Sequence, residues 1–228
     1  MGTDFDEFAD DYDALLEEGL APSGESKEYF ARGRVSWLRR RLQELRFTPR
    51  AILDFGCGTG SAVPHLLALP GAERAVGADV SRKSLEVARR SHGSERADWI
   101  VMGADPDPTG LDLAFCNGVF HHIEPDKRAA MVRWVFRSLR PRGLFALWEN
   151  NPWNPGTRYI MKRSPLDAHA LPLSPLQSRR LLASEGFEIL ATDFLFIFPR
   201  ALGSLRWLEP PLARLPLGGQ YQVLARKP

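Results

Sequence analysis

Only two cysteines, Cys57 and Cys116, occur in the 228 residues of this chain. Two cannot build a disulfide framework and are too few for a cysteine-rich structural zinc site. A surplus of one charge is also missing: 30 Lys and Arg stand against 28 Asp and Glu, a net charge of +2. That balance creates no demand for nucleic acid, and none is expected as a partner. No apolar run approaches the length of a membrane span. The chain opens MGTDFDEFADDYD, acidic and aromatic, where a secretory leader would be basic and then apolar. A cytoplasmic protein is therefore expected. No Gly-Lys-Ser/Thr closes a glycine-rich stretch, which removes the phosphate loop of nucleotide hydrolases. The remaining composition, 44% hydrophobic and 25% charged, is that of an ordinary globular domain, here one domain over 1–228.

Against this background the stretch ILDFGCGTG, residues 52–60, stands out. Its apolar half reads as a buried parallel strand. Gly56, Gly58 and Gly60 follow at alternate positions, where a missing Cβ lets the backbone turn tightly and approach a ligand. A strand, a glycine turn and a helix form the place where open α/β sheets bind nucleotide-like ligands. The spacing is G-x-G-x-G, and Ser61 stands where a dinucleotide fingerprint has its third glycine.

Hydrophobic periodicity predicts helical structure over 4–46 with a break at 21–24, then strands over 51–55, 73–79, 97–102, 111–117 and 144–148. Helices are predicted between them over 61–69, from Ser81 to about Ser91, and from Pro125 onward. Arg137, Arg140, Arg142 and Gly143 read as the charged end and stop of the last of these. Such alternation implies a parallel sheet with right-handed crossovers. Beyond Glu149 the pattern loosens. Residues 150–174 read as irregular, 175–185 as a helix, 187–198 as an apolar strand, 199–219 as a proline-broken insertion and 220–226 as a last strand.

The glycine turn does not stand alone. Asp54, Gly56, Gly58 and Gly60 fit D-x-G-x-G-x-G, and Asp79 ends the next strand roughly 20 residues on, the distance a βαβ unit requires. Gly103-Ala104-Asp105, Asn117-Gly118-Val119 and the 139–143 stretch follow in order. In these motifs the chain resembles the class I S-adenosylmethionine-dependent methyltransferases that act on small molecules. The resemblance runs from about Asp4 to Gly143. It implies an α/β fold: a Rossmann-like seven-stranded, mostly parallel sheet with helices on both faces, an antiparallel last strand and an N-terminal helical lid. S-adenosylmethionine is then the cofactor. Its contacts would come from Asp54, Gly56, Cys57, Gly58, Gly60, Asp79, Val80, Ala104, Asp105, Asn117, Gly118 and Val119, with Asp79 accepting the ribose hydroxyls. The opening from Phe5 to Asp13 is similar to the F-D-x-x-A-x-x-Y-D start of many such enzymes, which implies that Tyr12 reaches the cofactor. Residues 1–46 would form the cap and 47–150 the cofactor-binding core. Residues 151–174 and 199–219 would be insertions on the substrate side.

The expected reaction is O-methylation of a small molecule, apolar, aromatic or lipid-linked. Methylation at nitrogen or carbon, or of a macromolecule, is the alternative, as is a binding protein without turnover. An oxygen acceptor calls for a base, and His121, His122 and Glu149 follow the fourth and fifth strands. Asn150, Asn151 and Trp153 are the expected substrate contacts, and no metal is expected. Cys57 and Cys116 read as small buried thiols in the cofactor cleft, or as a redox pair. The apolar and arginine residues of 194–215 suit an acceptor pocket, a peripheral membrane contact or a dimer surface, so the chain is read as monomer or homodimer.

Overall fold

The computed structural model describes residues 12–228, with side chains from residue 15 onward. The expected contacts of residues 5–11 and of the Tyr12 side chain lie outside the described residues. Seven strands form one sheet: β1 (Ala51–Phe55), β2 (Arg74–Asp79), β3 (Ala97–Val101), β4 (Leu111–Asn117), β5 (Leu139–Asn150), β6 (Glu188–Leu195) and β7 (Gln220–Arg226). Their order is β3-β2-β1-β4-β5-β7-β6. The first five run parallel, and β7 lies antiparallel between β5 and β6.

The alternation of side chains along each strand divides the core into two layers. Leu53, Phe55, Phe145, Leu147, Tyr221 and Val223 face α5 (Pro125–Ser138) and α7 (Pro175–Ser184), through Val132, Val135 and Leu182. Ile52, Phe115, Leu144, Ala146, Trp148 and Leu224 face the other way, toward α2 (Lys27–Glu44) and α3 (Val63–Leu67). Helix α2 turns Ala31, Val35, Leu38 and Leu42 inward at helical spacing, and Ser26 caps it by accepting from the Tyr29 amide. Before it come α1 (Tyr12–Leu20) and a 3-10 turn at Ala21–Ser23, so the break expected at 21–24 is real. Ser81 caps α4 (Arg82–His92), as its position suggested. No helix among the described residues is long and apolar enough to cross a membrane.

Three local expectations are corrected. The helix expected over 61–69 is only Val63–Leu67, shortened by Pro64 in its first turn and Pro70-Gly71 beyond. Helix α5 stops at Ser138, so Arg137 lies in its last turn as expected but Arg140 and Arg142 lie beyond it. The chain enters β5 at Leu139, which pairs with Leu111 ahead of a register shift, and Gly143 ends no helix. The stretch 150–174 contains α6 (Pro155–Arg163), started by Asn154, whose side chain accepts from the Thr157 amide, with Pro155 at its first turn. A short α8 (Glu209–Leu212) and a 3-10 segment (Arg200–Leu208) occupy the second insertion.

One polar cluster fastens the α2 layer to the far edge of the sheet. Asp193 of β6 is fully buried and accepts from Trp37 Nε1 at 3.0 Å and from Arg41 Nε at 2.7 Å, with Arg41 Nη2 on its other oxygen. A two-pronged arginine–carboxylate pair holds position as well as charge. Asp193→Ala leaves the Trp37 N–H and Arg41 Nε and Nη2 without their acceptor, with Glu44 still on Arg41 Nη1. The expected loss is about 3 kcal/mol, read as a fall in melting temperature of roughly 6–12 °C for a chain of this size. A change within a degree would show that α2 is held by apolar contact alone.

Candidate active site

The glycine turn lies outside the carboxyl ends of β1 and β4, where the strand order reverses. Gly56, Gly58 and Gly60 all have positive φ, 67°, 51° and 80°, a region that other residues enter only under strain. At Gly56 a Cβ would also fall 2.4 Å from Val119 Cγ2, so the turn packs directly against the β4 loop. The Asp79 carboxylate shapes it from the next strand, accepting from the Gly58 amide at 2.8 Å and the Ser81 amide at 2.9 Å.

A cavity of about 610 Å³ opens from this turn. Asp54, Gly56, Cys57, Gly58, Thr59, Asn117 and Gly118 form one end. Phe30, Ile160, Met161, Leu166, Phe196 and Phe198 line the other, with His121 and His122 also on the wall. Two oxygens on the cofactor side are buried and have no hydrogen-bond partner among the described residues: Asp54 Oδ2 and Asn117 Oδ1. A buried oxygen without a donor is costly. Burial, and then the neighbouring Asp79, push the Asp54 carboxyl up to about 7, against the pull of Arg34.

The histidines sit on the 3-10 turn Phe120–His122 after β4. His121 is buried, with Nδ1 2.5 Å from Glu149 Oε2 and Nε2 3.3 Å from Asp167 Oδ1. The other oxygen of Glu149 accepts from the Phe120 amide at 2.7 Å. Burial opposes a charge on His121, but the two carboxylates outweigh it and its pKa rises to about 9. Burial, followed by the charge on His121, lowers His122 to about 4. The rings are 4.1 Å apart, and His122 Nε2 is 3.9 Å from Asp167 Oδ1. Asp167 ends the 3-10 turn after α6. The loop behind it docks on the same histidine turn: the Leu171 amide donates to the His121 carbonyl, and Arg128 bridges the Ile123 and Leu171 carbonyls.

The expected residues are thus divided. The cavity wall gathers Asp54, Gly56, Cys57, Gly58, Asn117, Gly118, His121, His122 and Asn150. Asp105 lies off it, spending a carboxylate oxygen on the Val101 amide, while Val80 and Ala104 are exposed. Glu149 lies off the cavity wall and holds His121 Nδ1, so it orients that histidine, while His121 and His122 stand on the wall. Asn151 is corrected. It is fully buried, donating to the Pro216 and Gly218 carbonyls and accepting from the Trp153 amide, so it shapes a loop. Trp153 is half exposed and stacks on Phe194, away from the cavity. Both thiols are free, and burial pushes both up and makes them unreactive. Cys57 lines the cavity, whereas Cys116 is in the core. Just before the second insertion Phe196, Ile197 and Phe198 line the cavity, while Leu202, Leu205 and Trp207 within it are exposed. Sequence reading missed Asp167, Arg34 and the α6 residues Thr157, Ile160 and Met161. The Asn-Pro cap at 154–155 was the available signal for the last three.

Comparison with known proteins bears on this site. Residues 52–143 match a methyltransferase domain family. A malonyl-[acyl-carrier protein] O-methyltransferase of Legionella pneumophila is 38% identical over 140 residues, 59% of this chain and 43% of that protein. A trans-aconitate 2-methyltransferase of Azoarcus sp. is 27% identical over 149 residues, 63% of this chain and 57% of that protein. The chain therefore spans about half the length of these curated relatives. A TehB-like SAM-dependent methyltransferase from Corynebacterium glutamicum superimposes with a TM-score of 0.62 at 17% identity, over 97% of this chain and 98% of that one, which establishes the fold.

The Asp54 carboxyl yields a pH signature. Between the ordinary carboxylate range and about 7 the unfolded chain has released this proton and the folded chain keeps it. The ligand-free protein therefore loses stability as pH rises through that window, and the loss is complete above it. Burial sets the position of the window foremost, with Asp79 raising it further and Arg34 lowering it. Asp54→Asn carries no such charge. It is expected to melt several degrees above the parent at pH 8, with the gap closing toward pH 4, as thermal scans across pH would record. An equal gap at both ends would remove Asp54 as the cause.

Proposed function

We propose that this chain, which carries a class I S-adenosylmethionine-dependent methyltransferase domain, transfers a methyl group to an oxygen of a small-molecule acceptor held beyond the glycine turn. The observation that carries this reading is the single cavity that runs from Gly56–Thr59 past the histidine pair into a largely apolar chamber. When bound, S-adenosylmethionine supplies the methyl on a sulfonium. The residues present suit it. Asp54 Oδ2 and Asn117 Oδ1 are buried acceptors that lack donors, a match for an ammonium and a hydroxyl. The glycine turn offers backbone without a phosphate cradle, and the cofactor has no phosphate to hold.

Methyl transfer is an in-line displacement, so the protein's task is alignment and exclusion of water. Phe30, Phe196, Phe198, Ile160, Met161 and Leu166 on the cavity wall favour an acceptor with an apolar body. The assignment to oxygen draws on the histidine cluster, which faces the cavity, and on the relative named as an O-methyltransferase. A proton leaving the acceptor would go to His121, which Glu149 orients, or to His122 beside it, unless the acceptor oxygen is already ionised. We read the whole chain, 1–228, as one catalytic unit, with 151–174 and 199–219 shaping the acceptor side.

Calorimetry should show S-adenosylmethionine binding one to one and a nicotinamide dinucleotide not binding. Release of S-adenosylhomocysteine against a panel of apolar carboxylic acids and alcohols separates an enzyme from a binder. His122→Ala is expected to reduce turnover by about tenfold or more while cofactor affinity stays within about twofold. Full turnover in that variant would remove His122 from the chemistry, and absence of cofactor binding would end the whole reading.

A further inference from the structure

We propose that His121, His122 and Asp167 form a binding site for a divalent transition-metal cation, zinc foremost, on the wall of the cavity. The use assigned to it, ionising the acceptor's oxygen in place of His122 acting as base, rests on the methyl-transfer reading above; its existence does not.

The argument is geometric. One ligand atom from each of the three side chains lies within 4.8 Å of the other two. His121 Nε2 is 3.3 Å and His122 Nε2 is 3.9 Å from Asp167 Oδ1. A four-coordinate cation with bonds of about 2.0–2.1 Å holds its ligand atoms roughly 3.3 Å apart. The His121–Asp167 edge already has that length, and the His122–Asp167 edge is longer.

An independent observation lies on the far side of His121. Its Nδ1 is held by the buried carboxylate of Glu149, which the Phe120 amide fixes in turn. A carboxylate behind a histidine is the arrangement that sets the tautomer and aims Nε2 at a metal. Here it aims Nε2 at the other ligands. Two imidazole nitrogens and one carboxylate oxygen suit zinc, cobalt or iron, not magnesium or calcium, which take oxygen ligands. Three protein ligands leave a coordination position open, and the cavity on which all three border is where it would face. The competing account is a metal-free hydrogen-bonded cluster of the same groups.

The test uses the full chain, stripped with a chelator and titrated with Co²⁺ followed by visible absorption and calorimetry, then with Zn²⁺ in competition. We expect one Co²⁺ per chain, displaced by Zn²⁺. Asp167→Asn and His122→Ala should each weaken binding by about a hundredfold, and Glu149→Gln by about ten- to a hundredfold with unchanged stoichiometry. His169→Ala, an exposed histidine outside the cluster, should bind as the parent does. If one ligand variant fails to fold, the other still decides the matter. Absence of Co²⁺ binding by the parent chain, or parental affinity in Asp167→Asn or His122→Ala, would overturn the proposal. Calorimetry with S-adenosylmethionine on the stripped protein keeps the two readings apart. Cofactor binding without Co²⁺ binding ends the cation and spares methyl transfer, and the reverse pattern does the opposite.

Discussion

A carboxylate that is 1% exposed must find hydrogen donors or surrender its charge, and the site is organised by how Glu149 does so. It stands near the end of β5, and both of its donors come from the turn after β4: the Phe120 amide and His121 Nδ1. One side chain thus locks the relation between two neighbouring strand ends. It also fixes the plane of the His121 ring and so the direction of Nε2. Asp167 and the loop behind it dock on that histidine turn. The histidine wall of the cavity therefore inherits its geometry from a residue that does not line it.

The sheet brings these parts together at little conformational cost. β1 and β4 are neighbours where the strand order reverses, so the glycine turn and the histidine turn emerge side by side. The fit is close enough that Val119 occupies the space a side chain on Gly56 would need. β5 adds Glu149 and Asn150 along the same edge, and β7 returns Gln220 to it, hydrogen-bonded to Asn150.

What could be read from the sequence was what local physics dictates. Three positive φ angles demand glycines, so the cofactor turn was visible at once. Ser81 caps a helix wherever it is met, and the order of strands and helices followed from periodicity. Illegible features were those in which one residue pattern serves two structures. Asn-Pro at 154–155 can set a turn or start a helix, and it starts α6. Arginines before Gly143 resemble the end of a helix but belong to the entry of β5. Asp167 was hidden for another reason. It lies far from His121 in the chain, and tertiary docking joins them, through the Leu171 amide and the Arg128 bridge. Asn151 and Trp153 looked like ligand contacts because polar and aromatic residues at a sheet edge often are. Satisfying the backbone of the 216–218 loop claimed the first, and stacking on Phe194 the second.

The position of β7 bears on how the chain assembles during synthesis. β5 and β6 are not neighbours; β7 separates them, although it is made after both. As the nascent chain emerges, β1 to β5 can pair in sequence, but β6 has no strand to join. Until β7 arrives, β5 presents a bare apolar edge through Leu144, Ala146 and Trp148, and such edges recruit other chains. The closing step of folding is thus a long-range insertion of one strand between two waiting ones, the kind of contact that forms slowly. The edge of β5 therefore waits unpaired from the synthesis of Asn150 until that of the Gln220–Arg226 strand.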